Sequence, residues 1–256
     1  MPRITVDDLG LFRGVERSVL ELADAGFPLN CSWVTNYHPP SDEYLRRAPD
    51  ANINSGLHFN VIEGISETKA QTLADARGRF RRAWHELFFA NAQMRREVEG
   101  ELEFQLAKAR AWFGALSHVD SHVHVHAVPW VYRLLVKYQA RFGYEHIRRP
   151  AQLLSDRLTT DPRVLALRVL SLANRAQGLP CFGVHQTFRM TAGSCLPAIE
   201  RGARELIFHT HAGAEEIARE HYRYFDDEQL ALRQREHTEL RALLRTLSAT
   251  TDDATN

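Results

Sequence analysis

A chain of 256 residues, 44% apolar and 25% charged, is long enough to bury a sizeable core and has the balance of a globular protein. Lys and Arg number 32, as do Asp and Glu, so no net field selects for nucleic acid or an anionic membrane. The three cysteines, Cys31, Cys181 and Cys195, make neither a CxxC pair nor an even framework, which argues against a zinc ribbon and for a reduced, cytoplasmic setting.

"RITV" predicts a first strand, ending at Asp7-Asp8-Leu9-Gly10. Val15, Val19, Leu20 and Leu22 have helical spacing, and Gly26 is a stop. "LNCSWVTN" and "SGLHFNVIEG" read as the second and third strands, separated by a polar loop with Pro39-Pro40. From Glu67 to about Ala115 the abundance of Ala, Arg, Glu and Leu predicts two or more long helices, broken at Gly78 or Gly100. "LSHVDSH" is the fourth strand, and Pro129 opens the helix "WVYRLLVKYQARFG".

"EHIRRP" is a short fifth strand. Asp161 caps a helix with Pro162 in its first turn. "LPCFGV" is the sixth strand, "LPAIERGA" a short helix and "RELIFHTHAG" the seventh strand. An amphipathic helix, "DDEQLALRQREHTELRALLRTLSA", closes the chain before a polar tail. No leader is expected from "MPRITVDDLG", and no apolar run is long enough to span a membrane. Strand–helix alternation predicts a parallel α/β fold, specifically a distorted (β/α) barrel of about seven parallel strands. One domain is expected over 1–249, with a disordered tail over 250–256. No GxGxxG or P-loop pattern indicates a nucleotide.

The polar outliers collect at the ends of these strands, where parallel α/β folds build their sites. In "HVDSHVHVHAVP", residues 118–129, His118, Asp120 and His122 share one parity and would share one face of a strand, with Val119 on the other. The approach of Pro129 predicts a bend near His122, leaving His124 and His126 as flanking residues. Asp7-Asp8 has two readings: a helix cap, or a metal ligand beside a general base. His58, between Leu57 and Phe59, is by itself a core histidine or a ligand. Arg148 is a solvated surface arginine or a donor to sugar hydroxyls or a phosphate, and Trp130 a packing residue or a stacking platform.

"TVDDLG", "SGLHFNVIEG", "HVDSHVHVHAVP" and "ELIFH" together resemble the YdjC family, also known as ChbG/HpnK-type carbohydrate deacetylases, from about Ile4 to Gly213. The resemblance implies a barrel related to polysaccharide-deacetylase barrels and one divalent metal, zinc favoured and magnesium or another ion open. It makes Asp8, His58 and His122 the metal ligands, Asp7 the catalytic base and His209 the general acid. The implied reaction removes an N-acetyl group from an amino sugar with metal-activated water. A metal-dependent phosphoesterase and a non-catalytic metal- or sugar-binding relative are the alternatives. A small N-acetylated sugar is the expected partner, with no nucleic acid and no membrane span, and homodimerisation is left open.

This chain departs from the family pattern at three places. Leu9 stands where the family has Phe, and Val123 where it has His. "HTHAG" replaces His-Pro-Gly, so spacing from upstream selects His209 and spacing from downstream His211. His209 is expected to be fixed by packing and His211 to be mobile and solvated beside Gly213.

Overall fold

Alternation along the strands sorts the chain into an apolar face that packs on helices and a polar inner face. The computed structural model describes residues 3–24, 26–148, 184–186, 195, 205–213 and 226–253. In β1 (Arg3–Leu9), Ile4 and Val6 join the hydrophobic core while Thr5 and Asp7 take the opposite parity. In β2 (Leu29–Trp33), Leu29, Cys31 and Trp33 are core, leaving Asn30 and Ser32 opposite. In β3 (Ile53–Phe59) and β4 (His118–Ser121), Leu57, Phe59 and Val119 pack outward; His58, His118 and Asp120 turn inward. A period of two therefore explains why the histidines and acid of 118–122 share one parity.

Among the described residues, seven parallel strands pair in the order β5-β4-β3-β2-β1-β7-β6, with β5 at His146–Ile147, β6 at Val184–Gln186 and β7 at Glu205–Phe208. The last strand returns beside the first, Ile4 facing Leu206 and Val6 facing Phe208, as in the expected distorted barrel. Burial on both faces is what a parallel sheet under helices requires. Among the described residues the helices are α1 (Arg13–Ala23), α2 (Asp42–Arg47), α3 (Ala92–Phe113), α4 (Pro129–Phe142) and α5 (Asp227–Asp253). Pro129 starts α4, where a missing N–H costs nothing. No helix among the described residues is long and apolar enough to cross a membrane.

Several elements differ from the expectations. Residues 61–82 form no helix, and α3 passes through Gly100 unbroken. The reason lies in two carboxylates of α3. Glu97 accepts the Thr72 and Leu73 amides at 2.8 and 3.1 Å, and Glu101 accepts the Thr68 amide at 2.9 Å. Those amides thus find partners outside any helix. The polar loop before β3 contains α2, capped by Ser41, which accepts the Tyr44 amide at 3.1 Å. The closing helix runs to Asp253, into the segment read as a tail. The expected helices at 161–178 and 196–203, and the sixth-strand residues 179–183, lie outside the described residues.

Candidate active site

The backbone breaks its regularity where β1 meets the site. Pairing with β2 shifts register between Val6 and Leu9, and Asp8 sits at φ 66. Such a bulge re-aims side chains, and Asp tolerates the left-handed region better than most residues. Asp8 Oδ1 thereby lies 2.9 Å from His122 Nδ1 and 3.3 Å from His58 Nε2. The three donor atoms, from the ends of β1, β3 and β4, lie within 4.8 Å of one another. The bend expected near His122 is present. β4 stops at Ser121, and Val123 and His124 are left-handed at φ 51 and 56. A β-branched residue there is strained by roughly 1–2 kcal/mol, which the burial of Val125 and Ala127 on either side of His126 helps to offset.

Both imidazoles are held from behind. His58 Nδ1 is 2.5 Å from Asp120 Oδ1, and His122 Nε2 is 3.1 Å from Glu63 Oε2. A carboxylate on the far nitrogen fixes the tautomer and ring orientation of a metal-ligating histidine. The donor set of one carboxylate and two backed imidazoles therefore fits a divalent cation. Burial opposes charge on both rings, but Asp120 and Asp7 push His58 up to about 10, and Asp8 and Glu63 push His122 up to about 9. Burial would raise Asp8, yet Arg233 and His122 outweigh it and hold the carboxyl well below the usual range. The rings are thus cationic at neutral pH without metal and must be neutral to ligate. Metal uptake at pH 7 is expected to release about two protons, and affinity should fall as pH falls. Calorimetry in buffers of different ionisation heat measures this; uptake with no proton release would contradict it.

Asp7 belongs to a second network. Both its oxygens accept from Arg148, at 2.7 Å each, and the same guanidinium reaches Asp120 at 2.5 Å and Glu205 at 3.1 Å. Asp7, His58 and Asp120 also cluster closely enough to hold an ion, but Arg148 already fills that cluster with positive charge. Arg148 is 1% exposed and committed to these carboxylates, so the expected reach toward substrate hydroxyls is replaced by a grip on Asp7. Burial would raise Asp7, and Arg148 overcomes it to leave the carboxyl below its ordinary value.

Arg148→Met strands three buried carboxylates and is expected to cost about 3–5 kcal/mol in denaturant unfolding at pH 7. The sign with pH follows from the depressed Asp7 and Asp120: their contribution is present above about 4, the unfolded value, and is lost as pH falls below it. The deficit of the variant should therefore shrink on acidification, and an undiminished or absent deficit would contradict the network.

β7 ends at Phe208, so His209 and His211 leave the extended ladder. His209 Nε2 lies 4.0 Å from Asp7 Oδ2, and its backbone N–H donates to Glu236 Oε2 at 2.6 Å. Burial pushes the His209 imidazole down to about 4, against the pull of Asp8. His211 is not the mobile, solvated residue expected: it is 0% exposed, against 8% for His209. Its ring occupies the space above Gly14, where an added Cβ would meet it at 2.1 Å. His126 bonds Ser121 through Nδ1, and His118 contacts Ser32 Oγ at 2.8 Å, so both support the site from outside the Asp8–His58–His122 trio. Trp130 packs, donating to Leu87 O at 2.9 Å. Glu63, Arg233 and Glu236 were not anticipated. The last two continue the buried stripe of α5 through Leu240, Leu243 and Leu244, and a charge on an apolar stripe was the available signal.

Residues 3–248 match the model of a family described as YdjC-like protein. A carbohydrate deacetylase of Brevibacillus brevis is 28% identical over 163 residues, covering 59% of this chain and 64% of that protein. A chitooligosaccharide deacetylase of Yersinia enterocolitica is 31% identical over 139 residues, covering 52% and 53%. The chain thus spans less than two thirds of the length of these two relatives. A crystal structure from Enterococcus faecalis V583, provisionally described as a cellobiose-phosphate cleavage protein, has a TM-score of 0.71 at 15% identity. It covers 96% of this chain and 93% of that one, which speaks for the fold alone.

Proposed function

The chain belongs to the YdjC-like family, and we propose that it is a metal-dependent hydrolase that removes the N-acetyl group of an amino sugar. The observation that carries this reading is the trio Asp8, His58 and His122, backed by Asp120 and Glu63, beside the Asp7–His209 pair. The relatives named as carbohydrate and chitooligosaccharide deacetylases support the substrate class. One carboxylate with two imidazoles favours zinc among divalent ions. Two buried thiols, Cys31 and Cys195, suit a reducing, cytoplasmic setting.

A divalent cation held by the trio would supply Lewis acidity, polarising the acetamide carbonyl and lowering the pKa of a water. Asp7 takes a proton from the attacking water at a carboxylate oxygen. Arg148 fixes that carboxylate in direction and weakens its hold on the proton. His209 is neutral at rest, so it delivers a proton only after receiving one, and Asp7 Oδ2 is 4.0 Å from its Nε2. Its transfer to the departing nitrogen completes the exchange: the carbonyl carbon gains the water oxygen, the C–N bond breaks, and acetate and an amine leave. Glu236 anchors His209 through its backbone amide.

Acetate release from N-acetylglucosamine and N-acetylated chitooligosaccharides, before and after chelation and zinc or magnesium reconstitution, tests this. Metal-dependent acetate release is the expected result. Phosphate release from a phosphorylated sugar without acetate would favour a phosphoesterase, and sugar binding without turnover at any metal loading a non-catalytic relative.

A further inference from the structure

The closing helix reaches the carboxylate of the ligand trio. Arg233 in α5 is 8% exposed, and its Nη2 donates to Asp8 Oδ2 at 2.6 Å. The other oxygen, Oδ1, is the one that faces His122 and His58. The arginine is held in place on several sides. Its guanidinium carbon lies 5.9 Å from the Phe12 ring centroid, its carbonyl accepts the His211 amide at 3.2 Å, and one turn later Glu236 accepts the His209 amide.

We propose that Arg233 is a positioning residue that occupies Asp8 Oδ2 and so offers a single oxygen, Oδ1, to the cation. The proposal rests on the reading of Asp8, His58 and His122 as ligands. A carboxylate with one oxygen committed to a guanidinium ligates through one atom and leaves a coordination position open for substrate. The guanidinium also sets a positive charge one carboxylate away from the cation and weakens its binding by repulsion. Loss of Arg233 therefore has opposite effects on binding and turnover, whereas loss of a merely structural contact would lower both.

The test compares Arg233→Met and Arg233→Lys with the unaltered protein by chelator competition for Zn²⁺, the visible spectrum of bound Co²⁺, and kcat and KM on an N-acetylated sugar. Arg233→Met is expected to bind Zn²⁺ about tenfold tighter, to lose Co²⁺ band intensity as Asp8 ligates through both oxygens, and to fall about tenfold in kcat. Arg233→Lys keeps the charge but not the planar guanidinium that places Nη2 on Asp8 Oδ2, so its Zn²⁺ affinity should stay within about threefold of wild type while kcat falls. Weaker Zn²⁺ binding in Arg233→Met, or wild-type spectrum and kcat in that variant, would overturn the proposal. Should Arg233→Met not fold, wild-type kcat in Arg233→Lys overturns it alone. Asp8→Asn in parallel separates the two claims. Unchanged metal affinity there removes the ligand reading itself; lost affinity there with wild-type behaviour in Arg233→Met removes only the positioning role.

Discussion

Asp7→Asn is expected to keep the metal and lose turnover by about 10²–10⁴-fold, the usual contribution of a positioned base. The amide is isosteric with the carboxylate but has no oxygen basic enough to take a proton. The proposed metal donors Asp8, His58 and His122 are untouched by the change, and Arg148 retains Asp120 and Glu205 as counter-ions, so the fold should persist. Metal content by elemental analysis and kcat on an N-acetylated sugar are the two readouts. Asp8→Asn should give the reverse pattern, because it removes the proposed anionic ligand, whose Oδ1 faces both imidazoles. If Asp7→Asn strips the metal and Asp8→Asn does not, the two roles are exchanged.

His209→Ala is expected to lower turnover on an N-acetyl sugar by about 10²–10⁴-fold, since an amine is a poor leaving group without a proton. An activated acyl ester departs unprotonated and should restore most of the rate. Truncating His209 leaves its backbone bond to Glu236 in place, so the effect should lie in chemistry rather than in folding. His211→Ala instead empties the space above Gly14 in a fully buried seam, and its loss should appear first in thermal stability. Full activity of His209→Ala on the amide would move the acid role to another group.

The fold was legible because strand and helix patterns alternate and because apolar and polar residues separate by parity. Leu57, Phe59 and Val119 lie on one face and His58, His118 and Asp120 on the other. Residues 61–82 were not legible, because the amides of Thr68, Thr72 and Leu73 are taken by Glu101 and Glu97 of α3, partners 24 to 33 residues away in sequence. The same limit applied to the site. Asp7, Asp8, His58 and His122 stand in short motifs, while Arg148 beside Arg149 read as a substrate donor or a solvated surface residue until the fold placed three acids around it. The burial of His211 depends on Gly14, which lies in α1. The place of His211 beside Gly213, at the loop after β7, made it read as mobile and solvated, and nothing near it in sequence announces the contact with α1.

Anomalous scattering from crystals grown with zinc, collected on both sides of the metal edge, locates the cation itself. One peak per chain is expected, in contact with Asp8 Oδ1, His58 Nε2 and His122 Nδ1, with Arg148 still on Asp7. A peak held by Asp7 and Asp120 in place of Arg148, or one centred on His124 and His126 with His58 remote, would contradict it.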